Sequence, residues 1–220
     1  MKLSEIWTLT DKDKTLITSF IAKGKTEQEH NEKFSIIDFP NFYKLFNTEE
    51  ISLMKKYLAI DPKSIDYKLP FIGYEDTPSD LVAIPNQLQI QYLPKRTFDA
   101  YTKMNEAMFA AINKKLFVLY GYRSPARQVF MFFDILERIY NFDLDKTVRR
   151  VCFLDYSEHV CTKKQAIDVT TVEGGRSEDF DKTDEYKWLQ KNAAKFGFYE
   201  SYQRDINVDM MYEPWHWHLE

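Results

Sequence analysis

Residues 166–172 of the chain read AIDVTTV, a short run of mostly β-branched and apolar residues that contains one carboxylate, Asp168. Such a run predicts a strand. The apolar neighbours Ala166, Ile167 and Val169 indicate a buried strand, where a carboxylate is costly unless it is paired or bound to a metal. For Asp168 taken alone, a salt bridge to an arginine or a capped turn is the commoner explanation.

The segments around this strand predict helices mixed with further strands. Apolar residues at helical spacing predict a helix over about 94–115, and another apolar stripe predicts a second helix after Pro125. A third helix is predicted within 183–197, with Thr183 as N-cap and Gly197 after its end. The remaining predicted strands are LFVLYGY (116–122), VRRVCFL (148–154) and two segments near 198–202 and 208–216.

This order of elements lacks a steady alternation of strand, helix and strand. It therefore predicts the α+β class, with a central, mainly antiparallel sheet flanked by helices. The first 84 residues are rich in charge and proline, so we predict an N-terminal extension, residues 1–84, that packs on a main domain of residues 85–220. A chain of 220 residues with 44% hydrophobic content is long enough to bury a sizeable core.

Composition also excludes some classes of function. The net charge of −4 gives no basic surface for nucleic acid. The apolar stretches are too short to cross a membrane, and the N-terminus does not resemble a signal peptide. We therefore expect a protein that stays in the cell or one whose signal has been removed. Cys152 and Cys161 are expected to be two buried thiols, although one disulfide is the alternative.

Polar residues that the fold alone does not require lie near Asp168 and at the C-terminus. His159 precedes the strand of Asp168, and His216 follows Glu213 in the sequence YEPWHWHLE (212–220). Two histidines and one aspartate make a ligand set typical of catalytic zinc, with a fourth position left for water. Glu213 would reach that water only if Pro214 introduces a turn, because positions 213 and 216 of a regular strand point to opposite faces.

Three motifs occur in this order: GYRSPARQ (121–128), SEH followed by AID (157–168), and EPWH (213–216). Together they resemble the LAS zinc metallopeptidases, and within them the VanY-like D-alanyl-D-alanine carboxypeptidases and related L,D-carboxypeptidases. The resemblance covers about residues 85–220 and implies the LAS, or hedgehog-like, metallopeptidase fold.

The resemblance also implies a role for each residue that matches these motifs. His159, Asp168 and His216 would bind one catalytic zinc ion, and Glu213 would be the general base. Arg123 would bind the substrate or stabilise the oxyanion, a task that suits its planar, permanently charged guanidinium. Gln128 and Ser157 would contact the terminal residue of the peptide; each also has an ordinary structural explanation.

The chain departs from this pattern between His159 and Asp168. The segment HVCTKKQAID is two residues longer than usual and contains no glycine, so it is expected to bulge and to change the shape of the substrate pocket. Cys161 within it is a less favoured alternative ligand. His218 has no assigned task and is expected to be exposed.

The implied function is a carboxypeptidase that removes the terminal D-amino acid from a peptidoglycan stem peptide or muropeptide, with either D,D- or L,D-specificity. The alternatives are a peptidoglycan endopeptidase or lysin and a non-catalytic module that retains zinc. We expect a monomer without a transmembrane segment. The substrate favours a periplasmic or extracellular location with the signal removed, and a cytoplasmic enzyme is the alternative.

Overall fold

The structure is a computed structural model that describes residues 1–65, 67–84, 90–173, 176–177, 179–204 and 210–220. It forms two compact units. The first comprises residues 1–77, 124–157 and 207–211, and the second comprises 78–123, 158–206 and 212–220. The boundary predicted between an extension and a main domain near residue 84 stays a prediction.

The described residues form α-helices and short strands, numbered here in chain order. The helices are α1 (Leu3–Ile6), α2 (Asp11–His30), α3 (Phe39–Tyr43), α4 (Thr48–Leu58), α5 (Lys95–Ile112), α6 (Pro125–Arg138), α7 (Leu144–Thr147) and α8 (Asp184–Asn192). The strands are β1 (Leu81–Ile84), β2 (Gln91–Pro94), β3 (Phe117–Tyr120), β4 (Ala166–Thr170), β5 (Phe198–Glu200) and β6 (His216–Leu219). None of the helices in these ranges is long and apolar enough to cross a membrane.

The first unit is helical and has an aromatic core. Phe20 of α2 packs against Phe42 of α3 and Phe130 of α6, with ring centroids 5.9 and 5.6 Å apart. The charge and proline content of the first 84 residues did not predict a long helix there, yet α2 is 20 residues long. The side chain of Thr10 caps its first turn, and its buried face lies at helical spacing: Ile17, Phe20, Ile21 and Gly24.

The second unit contains a four-stranded antiparallel sheet in the order β3, β4, β6, β5. Alternate residues of a strand point to opposite faces of its sheet. On β4, Ile167 and Val169 join the apolar core of this unit, and on β6 the core residues are Trp217 and Leu219. Asp168, His216 and His218 alternate with these core residues and therefore lie on the other face of the sheet.

Helices α5 and α8 contribute the rest of this core, with Met104 and Met108 from α5 and Leu189 from α8. The prediction for α8 is confirmed at its start, whereas the α-helix ends at Asn192, earlier than predicted. The Thr183 side chain accepts from the backbone N–H of Tyr186 at 3.1 Å, and Gly197 adopts a φ of 82° after the short 3-10 turn Ala193–Phe196. The α+β class with a mainly antiparallel sheet is likewise confirmed.

Two strand predictions need correction. Within the described part of the chain, residues 148–154 form no strand but a buried turn that leads into the 3-10 helix Leu154–Tyr156. The last strand begins at His216 instead of ending there, because Pro214 and Trp215 form a turn before it. Residues 208 and 209 of the predicted segment 208–216 lie outside the described residues.

Candidate metal centre

His159, Asp168 and His216 lie together on the polar side of the sheet in the second unit. One donor atom from each lies within 4.8 Å of the others, and all three side chains are buried. Two imidazoles and one carboxylate are nitrogen and oxygen donors that zinc accepts, and three such protein ligands leave a fourth position open. The residues present therefore fit a catalytic zinc ion.

Strand pairing brings two of these residues together. Asp168 of β4 stands opposite His216 of β6 in the antiparallel register, and Oδ1 of Asp168 lies 2.9 Å from Nδ1 of His216. His159 comes from the loop before β4, and its Nε2 lies 3.4 Å from the same carboxylate oxygen. The site thus depends on the register of β4 and β6 and on the path of one loop.

The two histidines present different ring nitrogens to the carboxylate. His159 Nδ1 lies 2.9 Å from the carbonyl oxygen of Gly121, to which it donates, so Nε2 faces Asp168. His216 has the reverse arrangement: its Nε2 lies 2.9 Å from Oε2 of Glu158, and its Nδ1 faces Asp168. The hydrogen bond at one nitrogen fixes which nitrogen is presented for a metal.

A turn brings Glu213 beside His216. The backbone N–H of His216 donates to the carbonyl oxygen of Glu213 at 3.0 Å, with Pro214 at the second position of the turn. Oε2 of Glu213 consequently lies 3.9 Å from His216 Nδ1, and the side chain is buried. The turn that we expected at Pro214 is present.

Burial and mutual charge set the protonation of these groups. Burial disfavours the charge of Asp168, but the two histidines outweigh it and hold the pKa of Asp168 well below its usual range. Burial lowers the pKa of His159. The positive charge of Arg123 lowers it further, whereas the negative charge of Asp168 acts to raise it. Burial would also lower the pKa of His216, yet its hydrogen bonds to Asp168 and Glu158 raise that pKa to about 10.

Arg123 lies next to the first histidine of this group. Its backbone N–H donates to the carbonyl oxygen of His159 at 3.0 Å, and its charge is close enough to affect the pKa of that imidazole. A permanent positive charge therefore stands beside the group of possible metal ligands.

Gln128 and Ser157 belong to the first unit. Both are buried; the Ser157 hydroxyl donates to Oε1 of Gln128 at 3.4 Å, and Nε2 of Gln128 donates to the carbonyl oxygen of Cys152 at 2.8 Å. These two predicted residues are thus placed together, and their proposed contact with a peptide stays a prediction.

The sequence did not single out Glu158, although it adjoins His159. It is buried, and besides His216 it contacts Ser201 and Lys164. No spacing rule indicates this contact, because it joins residues 58 positions apart through the pairing of β4 and β6.

The segment between His159 and Asp168 contains the 3-10 turn Thr162–Lys164, and its expected bulge relative to the family pattern stays a prediction. The expectation that His218 is exposed is wrong: it is 6% exposed, because β6 is an inner strand. Cys152 and Cys161 are buried thiols, as expected.

Comparison with known proteins gives matches of sequence and of fold. Residues 90–219 match the family VanY, described as D-alanyl-D-alanine carboxypeptidase. The chain is 32% identical over 215 residues to YodJ, a protein named as a carboxypeptidase of Bacillus subtilis (strain 168), with 89% of this chain and 72% of YodJ covered.

Among solved structures, the LdcB LD-carboxypeptidase superposes with a TM-score of 0.53 at 29% identity, covering 64% of this chain and 68% of its own. VanYB in complex with D-alanine-D-alanine gives a TM-score of 0.53 at 20% identity, covering 68% of this chain and 84% of its own. The D,D-pentapeptidase VanY in complex with Zn(II) gives 0.52 at 20% identity, covering 64% and 79%. At 20% identity the last two concern the fold alone, which is that of the LAS-type metallopeptidases.

Proposed function

Because the chain belongs to the VanY family of D-alanyl-D-alanine carboxypeptidases, we propose that it is a zinc-dependent carboxypeptidase that removes the terminal D-amino acid from peptidoglycan stem peptides. The observation that carries the proposal is the convergence of His159, Asp168 and His216 with Glu213 in one buried cluster. His159 Nε2, Asp168 Oδ1 and His216 Nδ1 would hold the ion.

A zinc ion bound there would lower the pKa of a water molecule and polarise the carbonyl of the scissile bond. Glu213 lies beside this position at 3.9 Å from His216 Nδ1 and is not needed to complete the three-ligand set. Its carboxylate would take the proton from the attacking water and give it to the leaving amine, as a general base and then a general acid.

Arg123 would bind the negative charge of the substrate. Its guanidinium offers a planar set of donors that stays charged at every physiological pH. It would therefore pair with the terminal carboxylate of the peptide or stabilise the oxyanion that develops on the scissile carbonyl. Gln128 and Ser157 would contact the terminal residue of the peptide, an assignment that rests on the motif resemblance.

The proposed substrate also suggests where the enzyme acts. Mature peptidoglycan lies outside the cytoplasm, so we propose a periplasmic or extracellular location; trimming of a cytoplasmic precursor is the alternative. We also propose that the enzyme acts as a monomer.

Metal analysis combined with mass spectrometry of the products tests this function. The purified chain is analysed for bound zinc and incubated with a stem pentapeptide ending in D-Ala-D-Ala and with the tetrapeptide. We expect one zinc per chain and the release of a single amino acid, from the pentapeptide for D,D-specificity or from the tetrapeptide for L,D-specificity.

Two results would contradict the proposal. Release of a larger fragment from cross-linked muropeptides, without single amino acids, would indicate an endopeptidase. A zinc-loaded chain that leaves all of these peptides intact would indicate a binding module.

A further inference from the structure

Glu158 is a buried carboxylate on the far side of the His216 imidazole from Asp168. Its Oε2 accepts hydrogen bonds from Nε2 of His216 at 2.9 Å and from the hydroxyl of Ser201 at 2.5 Å. Its Oε1 lies 2.7 Å from Nζ of Lys164. The carboxylate is therefore held by donors at both oxygens, and one of those donors is a proposed metal ligand.

This contact determines how His216 faces the metal position. An imidazole binds a metal through one nitrogen, and a hydrogen bond at the other nitrogen selects which one. With Nε2 directed to Glu158, Nδ1 faces Asp168 at 2.9 Å. A ring flip would break both hydrogen bonds at once, so Glu158 opposes the orientation that would turn Nδ1 away.

Ser201, His218 and Lys164 in turn hold Glu158 in place. An ionised carboxylate only accepts hydrogen bonds, so the Ser201 hydroxyl donates to it, and the Ser201 oxygen accepts from Nδ1 of His218 at 2.7 Å. Lys164 comes from the 3-10 turn within the segment between His159 and Asp168. That segment thus supplies the cation that balances Glu158.

We propose that Glu158 is a positioning residue, which fixes Nδ1 of His216 toward the metal position, and that Lys164, Ser201 and His218 orient Glu158. The inference rests on the metal site of the proposed function. It gives His218 a task that the sequence did not indicate, and it requires no contact between Glu158 and the substrate.

The test measures the zinc affinity of the full chain by competition with a chromogenic chelator. Carboxylates that orient a ligating histidine change metal affinity by about 10- to 100-fold when they are removed, and we expect this loss for Glu158→Ala. Glu158→Gln keeps an oxygen acceptor of similar position, so it should retain more affinity than the alanine variant. Rescue by glutamine would indicate an orienting hydrogen bond and not only lost packing.

Glu50→Gln is the matched control for lost stability. Glu50 is also buried and also accepts from a serine and a lysine, Ser19 at 2.7 Å and Lys23 at 2.8 Å, but it belongs to the first unit. This variant should melt at a lower temperature and bind zinc within about twofold of the wild type. An equal loss of affinity in Glu50→Gln would overturn the inference, because weaker binding would then report only stability.

Zinc affinity of Glu158→Ala within about twofold of the wild type would also overturn it. If that variant does not fold, Glu158→Leu, which fills the space but accepts no hydrogen bond, carries the test, and affinity equal to that of the wild type refutes the inference. The imidazole N–H signal of His216 Nε2, followed by ¹H–¹⁵N NMR in the metal-free chain, separates the two proposals. It should be protected from exchange in the wild type and lost in Glu158→Ala, whether or not the chain binds zinc; protection in both would refute the role of Glu158.

Discussion

Replacing Glu213 by glutamine should slow turnover by orders of magnitude while zinc binding persists. The two side chains have nearly the same volume, so the buried turn before β6 should keep its shape. The amide, however, cannot take a proton from water. Glu213 Oε2 lies 3.9 Å from His216 Nδ1, next to the ligand atoms but outside the group that would hold the ion, so zinc affinity should change little.

The expected size follows from general acid–base catalysis, which contributes about 10²- to 10⁴-fold to the rate. At about 1.4 kcal/mol for each factor of ten, the variant should raise the activation free energy by about 3 to 5 kcal/mol. The assay follows release of the terminal amino acid by mass spectrometry under single-turnover conditions, with zinc content measured on the same sample.

Glu185→Gln is the matched control for this variant. Glu185 has nearly the same exposed fraction as Glu213, 6% against 7%, and belongs to the same unit, but its neighbour is Lys114. The control should keep both zinc and turnover. An unchanged rate in Glu213→Gln would refute the assignment of the base, and loss of zinc would show that Glu213 is itself a ligand.

Three further predictions concern stability. Gly24→Ala would place a methyl carbon 2.0 Å from Cε2 of Phe130, so the free energy of unfolding measured in urea should fall by about 1 to 3 kcal/mol; an unchanged value would contradict this packing. Burial would raise the pKa of Glu50, but Lys23 and the other donors to Glu50 lower it below the ordinary 4.5. The stabilising contribution of the ionised carboxylate is therefore present above pH 4.5 and is lost as the pH falls through the lower pKa of the folded state. The difference in free energy of unfolding between the wild type and Glu50→Gln should shrink in acid, and a constant difference would refute this prediction. Deleting residues 216–220 removes the inner strand β6. Metal analysis should then show no bound zinc, and calorimetry should show no cooperative unfolding of the second unit. A folded product that binds zinc would contradict the topology.

The sequence predicted those elements in which one periodic signal dominates. Helices α5 and α6 have clear apolar spacing and a proline at or just before the first residue, and the structure contains both helices. Helix α2 was missed because charged residues at its two ends hide a buried face that does follow helical spacing from Ile17 to Gly24. Its capping box, formed by Thr10 and Asp13, is the signal that would have located it.

The false strand at 148–154 shows a different limit. Its residues are apolar and β-branched, as strands require, but Val148, Val151 and Phe153 are buried within a turn of the helical unit. Burial alone can select such residues, so composition does not distinguish a strand from a buried turn.

The proposed metal ligands could be predicted from the sequence for a physical reason that does not apply to the residue that positions one of them, Glu158. A carboxylate between Ile167 and Val169 is costly to bury, so its sequence context already demands a partner. Glu158 has no such context, because its neighbours in sequence are polar and its partner His216 is brought to it only by strand pairing. A residue that orients a metal ligand from a distant part of the sequence can therefore be identified only in the tertiary structure.

The apolar core and the candidate metal site of the second unit are two faces of the same strand pairing. On β6, Trp217 and Leu219 enter the core while His216 and His218 enter the site, and β4 alternates in the same way around Asp168. A shift of one residue in the register would exchange these faces, burying imidazoles in the core and removing Asp168 from His216. The free energy that buries Trp217 therefore also holds the proposed ligands together before any metal binds. It follows that the geometry of the site is set by folding, and that Glu158 refines the orientation of a histidine whose position the sheet already determines.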